Sequence, residues 1–284
     1  MSEEAVAFGS TNLLVGVVTD PDTVGKPRNG PAVIFLNAGL LHKVGPYRLY
    51  VDLARKLSSM GFTILRFDLS GIGDSLLGDD PRLYDERVLE NIREAMDFLS
   101  SRKGVCEFVL IGLCAGADNA HRAAVRDKRV KGAVFFDGYG YRTCGYYVHR
   151  YVPKMLSVDR WRNFLKRKVL SAVSTADVDT QGTTSRGEIF ARKFPPKEQV
   201  TKEIQDLVDR GVNLLYVYSG GVKYSYYNHR GQFRRMFRTI NFKGRVEFVY
   251  FDGAEHTFPS VTDRKNLMAT VCRWMNRHYQ RSVS

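Results

Sequence analysis

Val109-Leu110-Ile111-Gly112-Leu113-Cys114-Ala115-Gly116-Ala117 is an apolar run that breaks at Gly-x-Cys-x-Gly and then takes on a helical pattern. A chain passes from a buried strand into a helix within one residue only where the positions two before and two after the turn are small. Gly112 and Gly116 hold those places, which makes this a nucleophile elbow with sulfur in place of oxygen. Such a turn puts Cys114 at the positive end of a helix, a setting that favours the thiolate. The free amide of Ala115 points at the same spot and forms half of an oxyanion hole. The competing reading of Cys114 is a small buried thiol in a tight turn.

The stretches around the elbow alternate. Strands are expected over residues 12–18, 32–36, 62–67, 108–111 and 130–136, with helices over residues 47–60, 85–101 and 115–125. The first of these helices stops at Gly61, as a helix C-terminus does. After residue 196 the pattern resumes, with a helix at 197–210, strands at 212–218 and 245–251, a short helix within 224–238 that turns Phe233 and Phe237 inward, and a closing helix. Leu267, Met268, Val271, Trp274 and Met275 share the buried side of that last helix. Alternation of this kind predicts an α/β fold, a mostly parallel central sheet with helices on both faces, whose sites lie beyond the carboxyl ends of the strands.

Between about residues 141 and 196 the alternation stops. From Tyr141 to Lys197 lie 12 Lys or Arg against 4 Asp or Glu, so this stretch supplies +8 of the formal net charge of +13. Helices are expected over residues 146–155 and 159–173, then a Ser/Thr/Gly-rich stretch over 174–187. We divide the chain into a first core part (residues 1–140), a basic helical lid insertion (141–196) and a second core part (197–284). An insertion at this place puts positive charge at the entrance to the nucleophile and attracts anionic groups.

Several function classes are set aside. No apolar run reaches the roughly 20 residues of a spanning helix, and the start lacks a basic region followed by an apolar one. Cys106, Cys114, Cys144 and Cys272 have no metal-type spacing and fit a reducing compartment, so a soluble cytoplasmic protein without metal or cofactor is expected. The Gly71-x-Gly73 pair lacks the third glycine of a dinucleotide site. The basic stretch has neither the aromatic-and-glycine pattern of an RNA-binding motif nor a clean zinc finger, so no nucleic-acid partner is expected.

A cysteine nucleophile needs a base, and the base needs a group that fixes its tautomer. His256 follows the last strand in a glycine-containing loop, at the same sheet edge as Cys114. His121, two turns beyond Cys114, reads as a group on the helix surface. The acid is open. Ser219-Gly220-Gly221-Val222-Lys223 carries no carboxylate, which leaves Asp137 at the end of the preceding strand, with Asp252 and Glu255 as alternatives, or a pair that works with little help from an acid. Asp137 is equally readable as a turn-capping residue. The second oxyanion donor is expected at Gly39 or Leu40 in the loop 37–46. His42 of that loop either touches substrate or braces it, and Tyr139 is a candidate substrate contact. Arg48, Arg66, Asp68 and Asp74 are expected to pair and hold the loops.

With these landmarks the chain resembles an α/β-hydrolase over nearly its full length. They are Gly112-Leu113-Cys114-Ala115-Gly116, the loop 37–46, Arg66-Phe67-Asp68-Leu69-Ser70-Gly71-Ile72-Gly73-Asp74-Ser75 and Gly253-Ala254-Glu255-His256. The Gly-Leu-Cys elbow further resembles a bacterial subgroup that includes exosortase-associated hydrolases, and cysteine-type acyl or aminoacyl transferases acting between carrier proteins. The resemblance implies an acyl-enzyme on Cys114, oxyanion stabilisation by the amides of Ala115 and the Gly39/Leu40 region, and proton transfer by His256. It makes the substrate an ester or thioester, with coenzyme A or an acyl carrier protein as carriers that suit the basic insertion. The absence of an acid after Tyr218 departs from that family's commonest pattern. The alternative function is a non-catalytic protein of the same fold that uses the basic lid to recognise an acidic partner.

Overall fold

Four apolar segments are buried along their whole length, as parallel strands covered on both faces must be. They are β3 (Ala32–Leu36), β5 (Phe108–Leu113), most of β6 (Val130–Phe136) and β7 (Asn213–Ser219). The structure is a computed structural model and describes residues 1–10, 13–22, 30–155, 192 and 194–280. These strands join β1 (Ser2–Phe8), β2 (Leu14–Asp20), β4 (Ile64–Phe67) and β8 (Val246–Phe251) in an eight-stranded sheet of order β1-β2-β4-β3-β5-β6-β7-β8. Pairing is antiparallel for β1 with β2 and for β2 with β4, and parallel from β4 to β8.

Alternate residues of each central strand face opposite ways, and the core divides accordingly. Ile34, Leu110, Ala133, Phe135 and Leu214 pack with α2 (Tyr84–Lys103), α3 (Ala115–Arg126) and α5 (Lys197–Asp209) on one face. Phe35, Ile111, Val134, Phe136 and Val217 pack with α1 (Leu49–Ser59) and α7 (Val261–Tyr279) on the other. Each fully buried large apolar side chain contributes about 1.5–3 kcal/mol. The shorter α4 (Cys144–Met155) and α6 (Gln232–Met236) lie outside this alternation, and α6 sends Phe233 inward while Phe237 just beyond it is also buried.

Three expectations need correction. The sheet begins earlier than expected, because β1 precedes the strand read from residue 12, which itself starts at Leu14. In β1 the acidic residues hide the strand pattern: Glu3 pairs with Arg55 at 2.8 Å and Arg66 at 3.6 Å, and Glu4 with Arg102. Carboxylates on an edge strand discourage further strand addition. Secondly, Arg66 therefore serves β1, and Asp68 and Asp74 meet Lys43 in place of an arginine. Thirdly, His121 is buried and not on the helix surface: its Nε2 lies 2.9 Å from Glu203 and its ring meets Tyr139 and Phe135. The helix expected at 159–173 and the stretch 174–187 lie outside the described residues. Among the described residues no helix is long and apolar enough to cross a membrane.

Tyr50 of α1 shows how the sheet ends are registered below the elbow. Its buried hydroxyl donates to the Leu36 carbonyl at 3.1 Å and accepts from the Leu113 amide at 3.0 Å, joining the last residues of β3 and β5. Replacement by phenylalanine leaves both buried backbone groups unpaired, which costs about 1–3 kcal/mol. Tyr50→Phe is therefore expected to lower the urea midpoint at unchanged m-value; an unaltered midpoint would refute the bridge.

Candidate active site

At the end of β5 the chain turns at Cys114, which takes φ 56° and ψ −118°. A non-glycine residue in such a region costs of order 1–3 kcal/mol and persists only when its surroundings enforce it. Here the Cys114 amide donates to the Phe136 carbonyl at 2.9 Å, and its carbonyl accepts from Ala117 at 2.9 Å and Asp118 at 3.2 Å. The two flanking glycines are required by contact. A Cβ on Gly112 would sit within the Gly116 carbonyl group and 2.6 Å from the Ala117 nitrogen, and one on Gly116 would sit 2.6 Å from the Asn37 carbonyl oxygen. The end of β3 thus rests directly on the first turn of α3.

Beyond β6 lies Asp137, wholly buried and also at positive φ (50°). Its amide donates to the Val217 carbonyl at 2.8 Å. One carboxylate oxygen accepts the Ser219 amide at 2.7 Å, and the other accepts the Ser219 hydroxyl at 2.7 Å and lies 2.6 Å from His256 Nδ1. His256 comes from the loop between β8 and α7. That loop is seated on Gly220 and Gly221, because a Cβ on Gly220 would enter the Asp252 carbonyl and one on Gly221 would enter the His256 backbone. The glycines that leave the β7 exit without a carboxylate are therefore what admit the histidine. Of the alternative acids, Asp252 accepts from the Tyr250 hydroxyl at 3.1 Å, and Asp137 holds the imidazole.

Contact with Asp137 and with the Cys114 sulfur raises the His256 pKa to about 10, against the opposing effect of burial. For Cys114, burial works against the thiolate, but the hydrogen bond from His256, the positive charges of Arg192 and His256 and the Ala115 amide together lower its pKa below the ordinary thiol value. Both shifts favour a thiolate–imidazolium pair over the neutral pair.

Ala115 directs its amide at the sulfur. In the loop after β3, Gly39 takes φ 61°, and among the described residues neither its amide nor that of Leu40 is engaged by a protein acceptor. The Leu40 side chain is exposed. His42 is half-exposed and belongs to a charged cluster: its Nε2 lies 3.0 Å from Asp74 and 3.0 Å from the Lys43 ammonium. Lys43 Nζ meets Asp68 at 2.9 Å and Asp74 at 2.5 Å, and its amide donates to Asp68 at 2.6 Å. These bonds pull the Asp74 carboxyl down to about 2. His42, Asp68 and Asp74 converge as metal ligands would, but the ammonium of Lys43 already stands between the two carboxylates.

Tyr139 was expected to touch substrate; instead it is only 4% exposed and packs in the core against His121 and Phe194. Three side chains that the sequence reading did not place at the site are there. Arg192 grips Asp118 with two nitrogens and donates to the Asp137 carbonyl, and Tyr226 donates to that same carbonyl at 2.9 Å. Asp118 had a legible signal, since it falls one helical turn after Cys114. Arg192 and Tyr226 had none.

No protein-family profile matches the chain. Over 139 residues it is 28% identical to the uncharacterized protein YcjY of Escherichia coli (strain K12), and the match covers 46% of this chain and 44% of that protein. The chain thus spans less than half the length of this curated relative. Among solved structures, an esterase of Pyrococcus furiosus superposes with TM-score 0.64 at 14% identity, covering 98% of this chain and 92% of that one. An α/β serine hydrolase without lid from Xanthomonas campestris gives TM-score 0.58 at 12% identity, with 99% and 96% coverage. The esterase domain of a Rhodothermus marinus protein gives 0.56 at 17%, with 97% and 99% coverage.

The chain has the α/β-hydrolase fold. Within a sheet of this strand order β5, β6, β7 and β8 are consecutive parallel neighbours that end at one edge, which is how Asp137 and His256 meet although they are 119 residues apart.

The electrostatics make a direct prediction. A thiol with a lowered pKa is alkylated faster at neutral pH. Iodoacetamide at pH 7 should modify Cys114 at least about tenfold faster than Cys272, whose pKa is raised by burial. His256→Ala should move the pH midpoint of Cys114 alkylation upward. Equal rates at Cys114 and Cys272, read by peptide mass spectrometry, would refute the ion pair.

Proposed function

We propose that the chain is an acyl-transfer enzyme that forms a covalent thioester on Cys114 with an ester or thioester substrate. The observation that carries this reading is the sulfur–imidazole–carboxylate relay through Cys114, His256 and Asp137 at a strained elbow with the Ala115 amide aimed at the sulfur. The esterases among the structural neighbours support ester chemistry on this scaffold.

In the proposed reaction the Cys114 thiolate attacks the substrate carbonyl carbon and forms the new C–S bond. The carbonyl π electrons move to oxygen, where the amides of Ala115 and of Gly39 or Leu40 bind the oxyanion. Collapse expels the alkoxide or thiolate, which takes the proton of His256. Neutral His256 then removes a proton from water or another acceptor as it attacks the acyl-sulfur bond, and the thiolate–imidazolium pair returns. Asp137 holds Nδ1 and thereby reserves Nε2 for the sulfur and the leaving group. A thioester reacts with amines and thiols as well as water, so transfer and hydrolysis share the first half of the cycle.

We read residues 141–196 as an insertion in the sequence, and its positive charge favours acyl groups presented on coenzyme A or an acyl carrier protein. A thiolate nucleophile is kept active in a reducing cytoplasm. No cofactor enters the scheme.

Intact-protein mass spectrometry after mixing with acyl-coenzyme A, acyl-carrier-protein thioesters and simple esters tests the reading. The wild-type protein is expected to gain one acyl mass and Cys114→Ala none, while His256→Ala lowers turnover by about 10²–10⁴. Release of the adduct by water, or only by amines and thiols, separates hydrolase from transferase. Absence of any adduct, together with ordinary Cys114 reactivity, would sink the proposal and favour a non-catalytic protein that binds an acidic partner.

A further inference from the structure

Arg192 is the only described residue between 156 and 193, and it is engaged at every nitrogen. Its Nε and Nη2 clasp the two carboxylate oxygens of Asp118 at 2.5 Å each, one turn past Cys114 on α3. Nη1 donates to the Asp137 carbonyl at 2.7 Å and lies 3.2 Å from the Tyr226 hydroxyl. The guanidinium carbon stands 4.7 Å from the centre of the Phe194 ring. One planar cation therefore joins the elbow helix, the end of β6 and the segment after β7.

What it holds is unusual. Asp137 sits in left-handed backbone, and its carbonyl receives two donors, Arg192 and Tyr226, while its carboxylate reaches the other way to Ser219 and His256. Rotation of this one residue would swing the carboxylate off the imidazole. The shape also selects the residue type, because a lysine ammonium cannot grip a carboxylate two-pronged and reach a third acceptor in the same plane.

We propose that Arg192 is a positioning residue, which fixes the Asp137 main chain to the elbow helix so that the carboxylate stays on His256, and which places a permanent cation near the Cys114 sulfur. This rests on the reading of Cys114 as the nucleophile. Burial raises the Asp118 carboxyl and the guanidinium opposes it; the two-pronged geometry is that of an ion pair. The charged and titratable groups around the sulfur come from every neighbouring element: His256, Arg192, Asp118, Asp137, Tyr226 and, from α1, Tyr50. Among the described residues the positive charge on the sulfur comes from Arg192 and His256.

The test is the pH profile of Cys114 alkylation by iodoacetamide in wild type, Arg192→Met, Arg192→Lys and Asp118→Asn, with kcat and KM for any donor found. Arg192→Met should raise the midpoint by about one pH unit and slow neutral-pH alkylation about tenfold, since a unit of pKa is a factor of ten. Arg192→Lys should fall between it and wild type. In Arg192→Met, kcat should drop while KM holds. Asp118→Asn breaks the same ion pair but keeps the cation and its bond to the Asp137 carbonyl, so its midpoint should stay or fall. A wild-type midpoint in Arg192→Met, or an equal upward shift in Asp118→Asn, would overturn the proposal and leave Arg192 a structural salt bridge. If Arg192→Met does not fold, Arg192→Lys against Asp118→Asn decides by the same criterion. A wild-type Cys114 that titrates as an ordinary thiol would instead bring down the nucleophile reading itself.

Discussion

The structure depends on how closely two pieces of backbone approach at the elbow. Gly112 on β5 and Gly116 on α3 meet with no side chain between them, and Gly116 in turn lies on the carbonyls of Leu36 and Asn37. Any Cβ at these places would push α3 off the sheet and carry its first turn away from the loop that follows β3. The Ala115 amide would then no longer face the Cys114 sulfur. The strain at Cys114 is sustained by this packing, by the Phe136 carbonyl that accepts its amide and by the Tyr50 bridge beneath it.

Charge is arranged around Asp137 with similar economy. Among the described residues its carboxylate is met by His256 and by the amide and hydroxyl of Ser219. Burying a carboxyl group costs several kcal/mol unless donors meet it, and Ser219 and His256 are the partners that meet this one. The division of labour between β6 and β7 follows from space. β7 ends in glycines so that the histidine loop can seat there, and the acid comes from the neighbouring strand.

Much of the fold was legible because the central strands are buried on both faces and therefore read as unbroken apolar runs, as in Phe108–Leu113. β1 was not, since its Ser-Glu-Glu start looks like a solvated terminus until Arg55, Arg66 and Arg102 are seen beside it. His121 was misjudged because helical spacing measures distance from Cys114 but not which side of α3 meets α5; Glu203 of α5 receives it. At the site, Cys114 was visible from its own neighbours, and the approach of His256 to Asp137 follows from strand order once the sheet is drawn. Tyr139 was misplaced because a tyrosine at a strand's end is as apt to fill core as to face a ligand. The contact between Arg192 and Asp118, 74 residues apart, left no periodic or local trace to read.

Lys43 has a consequence for the loops that frame the site. Two carboxylates and an imidazole that converge on one point ordinarily invite a free ion, which must surrender its translational freedom to bind and whose occupancy follows its supply. Here the cation is attached to the chain two residues from Leu41, whose carbonyl is itself held by Asn37. Its effective concentration is set by a peptide bond and four methylenes, so the order of these loops is indifferent to chelators and to whatever ions the surroundings offer.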